Sequence, residues 1–337
     1  MELGALFSSS RATLVGPSIG PAYPFAHWLA DAEKTLGTIE RAGFRYFAAT
    51  HTYENSWAHP LVLLSRLAAM SGQLRISTEI LQLPLLNPMD AAYALAALDN
   101  ISGGRLDVGV GIGYHPKELQ AIGITREDRV PRFEEAIKIM RQFWTGSPVH
   151  HQGKHFSIDG LQLALVPTQQ PSPPILGSAQ SNPAARRAGR ILDGILIGPQ
   201  VTFADMKTLI DVFKEEWAKN HAEPPRRVGA WRALIAGADP KDAIRQGIAG
   251  GEVTFKRYEE GGMQEQSMHN IRLKLTEDDA ADWAIFGNYS NLLEGLRRCR
   301  DEYGVTRLTC NFYNLPKDST ARRDWLQGFG EEVIARL

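Results

Sequence analysis

The chain has 337 residues, 43% hydrophobic and 22% charged, with a net charge of -1. That balance excludes a disordered chain and provides no electrostatic footprint for nucleic acid or for an anionic membrane. Two irregularly placed cysteines, Cys299 and Cys310, supply neither a disulfide framework nor a zinc site.

The opening Met1–Phe7 lacks the basic region and long apolar run of a secretory signal, and no apolar segment approaches a membrane span. A cytoplasmic protein is therefore expected. Glu2 to Phe7 reads as a strand, followed by a Ser/Gly/Pro-rich loop from Ser8 to Pro24, long enough to predict a functional role. A helix is expected from Phe25 to Ala42, stopped by Gly43, then a strand from Arg45 to Ala49 that opens into Thr50-His-Thr-Tyr-Glu-Asn55. His59 to Met70 has helical periodicity, Arg75 to Leu81 is strand-like, and Met89 to Leu98 is helical.

Next comes a stretch with an unusual face. Leu106, Val108, Val110 and Ile112 alternate with Asp107, Gly109, Gly111 and Gly113. Period-two alternation predicts a strand, and its second face is almost bare. Pro116 to Ala121 is a helical turn, and Arg132 to Trp144 a helix with Phe133, Ile137, Met140 and Trp144 on one side. Gly146 to Pro174 is a Pro-rich excursion with a hairpin-like His155–Ile158. Alternation then resumes: strands at Pro174–Gly177, Gly194–Ile197 and Val228–Ala236, with helices at Pro183–Ile191, Phe203–Lys219 and Asp239–Ala249. Gly250 to Asp279 is a second irregular insertion, before a helix from Ser290 to Tyr303, a strand from Arg307 to Phe312 and a closing helix to Leu337.

The reading contains eight strands separated mostly by helices, which predicts parallel βα units. Eight is the number at which such units close into a TIM (β/α)8 barrel, here one domain over residues 1–337 with excursions near 146–174 and 250–285. An open doubly wound sheet is the alternative that alternation alone leaves standing.

Four groups of residues carry chemistry. Gly109-x-Gly111-x-Gly113 is not a dinucleotide fingerprint, because Tyr114 occupies the position of the third glycine and no helix opens inside the motif. In a barrel these glycines face inward, leaving either room for a ligand or a close strand contact. Gly177-Ser-Ala-Gln-Ser181 joins a strand to a helix that Asn182 caps and Pro183 opens, so its backbone N–H groups can cradle a phosphate; an ordinary capped turn is the more common use of such a motif. His51 and His115 each follow a strand and are candidates for acid/base work. His150, His151 and His155 match no helical metal pair and read as a solvated hairpin, so no metal is expected. Arg126, Arg129 and Arg132 either clamp an anion or form a solvated helix face.

The run from Leu98 to Tyr114, with Glu118, Gly123, Phe133–Gly146, Gly153–Phe156, Pro167–Pro174, Gly177–Arg190 and Asp193-Gly194, resembles the luciferase-like flavin-dependent monooxygenases and their deazaflavin-using relatives. The resemblance implies a TIM barrel, usually a homodimer, with flavin at the C-terminal ends of the strands. It implies an FMN phosphate on Gly177, Ser178, Ala179, Gln180 and Ser181. The flavin ring would lie near Thr50 and His51, Thr78 and Glu79, and Gly111, Gly113, Tyr114 and His115. An irregular peptide is implied near Glu79-Ile80.

The implied chemistry is reaction of O2 with reduced FMN at C4a and oxygen transfer to a small organic substrate. NAD(P)H would be the reductant, acting through this protein or a separate flavin reductase. An 8-hydroxy-5-deazaflavin coenzyme used for hydride transfer is the alternative, and a flavin-binding protein without turnover the third. Two departures from the family pattern stand out. Thr50-His51-Thr52 replaces an acidic residue followed by two histidines, which unsettles transfer of a catalytic base. Gly287-Asn-Tyr-Ser-Asn291 replaces a Gly-Thr-Pro-Glu-Glu box, although Asn or Ser can still cap a helix there. The loops at 8–24, 50–59 and 250–279 would set specificity; Trp57, Trp283 and Phe286 hint at an apolar pocket, but core packing is the commoner use of such residues.

Overall fold

Every one of the eight expected strands forms, and together they close. The computed structural model describes residues 1–7, 14, 24–53, 58–248 and 280–337. Most of the expected loop at 8–24, the tip at 54–57 with Trp57, and the second excursion at 250–279 lie outside the described residues.

In chain order the strands are β1 (Glu2–Phe7), β2 (Tyr46–Ala49), β3 (Arg75–Gln82), β4 (Leu106–Gly111), β5 (Val149–Gln152) and β6 (Ser157–Leu161). They continue with β7 (Ile175–Ala179), β8 (Gly194–Ile197), β9 (Val228–Ala236), β10 (Ala284–Gly287) and β11 (Arg307–Tyr313). Parallel pairing runs β1-β2-β3-β4-β7-β8-β9-β11 and returns from β11 to β1, an eight-stranded ring. That closure removes the open-sheet alternative.

Helices cover the ring: α1 (Phe25–Arg41), α2 (Pro60–Ala68), α3 (Pro88–Ser102), α4 (Pro116–Ala121), α5 (Arg129–Phe143), α6 (Asn182–Ile191) and α7 (Phe203–Ala218). Residues 240–248 are helical, followed by α8 (Tyr289–Asp301) and α9 (Ser319–Glu332). The stripe Phe133, Ile137, Met140 and Trp144 is buried as its spacing predicts. Local chemistry sets the ends. Asn87 accepts from Met89 N–H at 2.9 Å to start α3, and Gly103, at φ +67°, ends it in the left-handed region where a side chain is disfavoured. Asn288 and Asn291 form a reciprocal capping box on α8, so the substituted family box still caps. Among the described residues, no helix is long and apolar enough to cross a membrane.

Three features depart from the sequence reading. Strand β10 was not expected: it continues the edge of β9 beyond β8, with Ala284–Gly287 pairing Ala233–Ala236 while β8 pairs Val228–Ala230. Its four residues are too short to show a period. Trp283 and Phe286 beside it pack with Ala233, Ile235, Ala243 and Ala280 in a small apolar cluster. On α6, Ser181 keeps an extended backbone and is the cap, so Asn182 falls inside the first turn.

The histidine excursion is the third departure. It holds the β5–β6 hairpin, but only His150 is solvated. His151 is buried on Glu135 of α5 at 3.0 Å, and the same carboxylate accepts from His155 N–H at 3.1 Å and Phe156 N–H at 2.9 Å. Glu135 therefore pins the hairpin to the barrel. One carboxylate accepting three N–H groups is what makes the turn of the hairpin dock.

Candidate active site

Small barrels normally fill their interior with branched apolar side chains. This one is charged at its N-terminal end. Arg75 of β3 makes two bonds to Asp107 of β4, at 3.0 and 2.7 Å. Arg307 of β11 reaches Asp107 at 3.0 Å and Glu79 at 3.0 Å, with its guanidinium 4.1 Å above the Tyr46 ring. Glu79 also accepts from Trp231 Nε1, Thr309 Oγ1 and Ser77 Oγ, and Tyr46 OH lies 2.7 Å from Thr309 Oγ1. Gly4 stands where any Cβ would enter the Tyr46 ring.

The two carboxylates respond oppositely. Burial pushes Asp107 upward, but Arg307, Arg75 and Arg227 outweigh it and hold the group below its ordinary 3.8. For Glu79 burial dominates Arg307 and raises the carboxyl above its ordinary range. A depressed folded value gives Asp107 a stabilising role that is present above the unfolded value and is lost as pH falls through the folded one. Asp107→Asn is expected to weaken the protein at pH 7 and to flatten the decline of its stability below about pH 4, measured by urea unfolding at stepped pH. An unchanged acid limb would contradict the network.

Above this floor lies the C-terminal mouth. Strand β3 carries a cis peptide at Glu79-Ile80 and a register shift between Thr78 and Leu81, where an irregular peptide was expected. Thr78 Oγ1 donates to Gly109 O at 2.8 Å, tying β3 to β4, so the side chains of Thr78 and Glu79 are both spent inside the barrel. The bare face of β4 is not open space throughout. A Cβ at Gly109 would overlap the Thr78 carbonyl and stand 2.8 Å from Leu196, and one at Gly111 would overlap the tip of Ile80. Room beside a ligand, one of the two readings of these glycines, gives way at Gly109 and Gly111 to close contact with β3. Gly113, at φ +73°, faces Gln82, whose Oε1 would lie 2.8 Å from a Cβ there.

His51 sits just beyond β2 and is buried. Its N–H donates to Ile80 O at 3.3 Å, and its Nδ1 accepts from Gln82 N–H at 3.2 Å. Gln82 Nε2 donates to His51 O at 2.9 Å and to Glu118 Oε2 at 2.8 Å, while Glu118 Oε1 accepts from Tyr53 N–H at 2.8 Å. Burial, then the neighbouring His59 with its ring 5.3 Å away, lowers His51 to about 4. His51 Nε2 and Gln82 Oε1 are buried with no hydrogen-bond partner among the described residues. Tyr114 and His115 follow Gly113, and His115 stands at the N-terminus of α4, the helix that supplies Glu118.

The turn Gly177–Ser181 joins β7 to α6. Gly177 packs against α6, where a Cβ would enter Leu192, so that glycine serves helix–strand contact. Ser178, Gln180 and Ser181 are half-buried; Ser181 makes no side-chain cap bond, Pro183 has no N–H, and Ala185 N–H donates to Ser181 O at 3.0 Å. A Cβ at Gly111 would stand 3.6 Å from Ser178 Cβ, so this turn adjoins the glycine strand. The structure thus gathers Thr50 and His51, Gly111 to His115, and Gly177 to Ser181 at adjoining strand ends. Two of the three Arg residues do otherwise: Arg129 donates to Gly113 O at 2.8 Å, and Arg132 donates to Pro84 O at 2.8 Å and stacks on Phe156, so both brace the backbone. Among the described residues no three His, Cys, Asp or Glu side chains gather as a metal site.

The model of the family described as luciferase-like monooxygenase matches residues 9–285. The chain belongs to that family. Among its luciferase-like relatives, the FMNH(2)-dependent dimethylsulfone monooxygenase of Pseudomonas putida is 32% identical over 233 residues, 66% of this chain and 62% of that protein. Two solved structures share the fold at 18% identity. The oxygenating constituent of 3,6-diketocamphane monooxygenase from Pseudomonas putida, in complex with FMN, superposes with a TM-score of 0.79 over 100% of this chain and 99% of that one. The coenzyme F420-dependent tetrahydromethanopterin reductase of Methanopyrus kandleri does so at 0.75 over 99% of each.

Sequence reasoning missed Gln82 as a site residue and gave Glu118 no role. Neither lies in a motif with chemical meaning. Only the pairing of β2 with β3, and the placement of α4 over both, brings them to His51.

Proposed function

We propose that this luciferase-like protein is an FMN-dependent monooxygenase acting on a small organic substrate. One observation carries the reading: a buried donor, His51 Nε2–H, and a buried acceptor, Gln82 Oε1, have no partner among the described residues at the mouth that adjoins the Ser178–Ser181 turn. Buried polar groups are normally paired, and each left unpaired costs about 1–3 kcal/mol. A flavin ring edge offers both acceptors and a donor, so the orphaned pair fits it. The turn Ser178, Ala179, Gln180 and Ser181, leading into α6 without a side-chain cap bond from Ser181, fits its phosphate.

Bound FMN, once reduced, supplies the electrons with which O2 is activated for oxygen transfer. The chain's own contribution is placement. Ser178 to Ser181 hold the phosphate, Thr50, Gly111, Gly113 and Tyr114 border the ring, and the floor formed by Thr78 and Glu79 closes the site from below. His51 holds a proton at Nε2, with His115 as the second candidate for proton handling. The FMN assignment follows the relative with the longer match and a named cofactor. The deazaflavin coenzyme is the second reading, because a reductase using it shares the barrel.

Titration with FMN, riboflavin and the deazaflavin coenzyme, followed by fluorescence, tests the proposal. FMN is expected to bind, and Ser178→Asp, which puts a carboxylate into the cradle, to weaken it at least tenfold, about 1.4 kcal/mol. Riboflavin, without the phosphate, should bind both proteins alike. Binding of the deazaflavin alone would move the assignment to hydride transfer, and binding of neither would end both.

A further inference from the structure

We infer that Gln82 and Glu118 are positioning residues that lock His51 as a hydrogen-bond donor through Nε2, which removes it from service as a base. The argument begins with the amide. Gln82 Nε2 lies against two groups that can only accept, the His51 carbonyl at 2.9 Å and the Glu118 carboxylate at 2.8 Å. The nitrogen must therefore face them, and the orientation of the amide is not interchangeable. Glu118 is itself held by Tyr53 N–H, so the carboxylate ties the segment after β2 to the end of β3 through α4.

With the backbone of His51 held at both N–H and C=O, its ring meets the Gln82 N–H at 3.2 Å through Nδ1. A nitrogen accepting a backbone N–H carries no proton, so the proton of the neutral ring resides on Nε2. The groups facing the ring are His59, the cap of α2, Tyr53 from its own segment and Glu118 from α4, which reaches it through Gln82. Burial and His59 keep the ring neutral at pH 7. A neutral imidazole with a fixed Nε2–H offers a hydrogen bond to an oxygen on a bound molecule. It cannot accept a proton at Nε2, and Nδ1 is already engaged.

The inference rests on the flavin reading only for the identity of the molecule that receives the bond. Its test uses the ligand-free protein: the His51 imidazole is followed by nitrogen-15 and carbon-13 NMR from pH 3.5 to 8. The wild-type ring is expected in the Nε2–H form alone, neutral down to about pH 4. Gln82→Ala should keep the native circular dichroism, raise the midpoint by at least one pH unit and admit the second tautomer. If that variant does not fold, Glu118→Gln carries the test, because it keeps the shape but offers one acceptor oxygen for two donors. Loss of a negative charge by itself would lower the histidine midpoint, whereas loss of positioning would raise it. A raised midpoint in Glu118→Gln therefore supports the assignment. A wild-type ring in the Nδ1–H form, a Gln82→Ala protein titrating like wild type, or an unchanged or lowered midpoint in Glu118→Gln would overturn it. Failure to bind any flavin would sink the functional proposal and leave these signals where they are.

Discussion

Arg307→Met is expected to cost about 3–5 kcal/mol of stability, read from the midpoint and slope of urea unfolding. The cost does not come from losing a favourable pair in water. It comes from leaving two carboxylates behind in the barrel. Among the described residues Arg307 is the cation that bridges Glu79 and Asp107, and all three side chains are buried. Asp107 keeps Arg75 after the substitution, but Glu79 keeps only neutral donors in Trp231, Thr309 and Ser77. Losing Arg307 removes the main influence that holds the Glu79 carboxyl down, so burial would push it further upward. Adding Glu79→Gln to Arg307→Met should recover on the order of 1 kcal/mol, because the stranded acid is gone. Simple additivity of the two losses would show that Arg307 and Glu79 do not act as a pair.

This charged floor marks where legibility in the sequence ended. The strands were readable because short apolar runs alternate with helical stretches that local signals end, as Gly43 does, and one of them, Leu106 to Ile112, also shows period-two alternation. The barrel was readable because eight such units close. Arg307, Glu79 and Asp107 lie 200 and more residues apart at the widest, as the 307–107 and 307–79 pairings show, and no local pattern announces that they meet. The same holds at the mouth. His51 and Gly177–Ser181 could be chosen because a strand end and a strand–turn–helix carry a signature. Gln82 had none, and Glu118 entered only as part of a family run. The glycines stayed open between two readings for a related reason: a missing side chain in sequence does not tell whether a ligand or the neighbouring strand takes the space.

That distinction separates two substitutions on one strand. Gly109→Ala is expected to destabilise by more than about 3 kcal/mol, or to prevent folding, because the new methyl would overlap the backbone carbonyl of Thr78. A carbonyl within paired strands cannot turn aside, and the same residue also receives the bond between Thr78 Oγ1 and Gly109 O. Relief requires β3 and β4 to separate, at the register where they are joined. Gly111→Ala meets only the end of the Ile80 side chain, which can change rotamer. Its stability cost should stay within about 1–3 kcal/mol. The displaced Ile80 must go somewhere, however, and Gly111 adjoins Ser178 at the proposed cradle. The folded Gly111→Ala protein is therefore expected to lose FMN affinity about tenfold, or 1.4 kcal/mol, by fluorescence titration. A Gly109→Ala protein that unfolds at the wild-type urea concentration would refute the close approach of β3 to β4. A Gly111→Ala protein that binds FMN as wild type does would place Ile80 and this edge of the strand outside the ligand's reach, confining the site to the side of the mouth where Gln82, His51 and Gly113 meet.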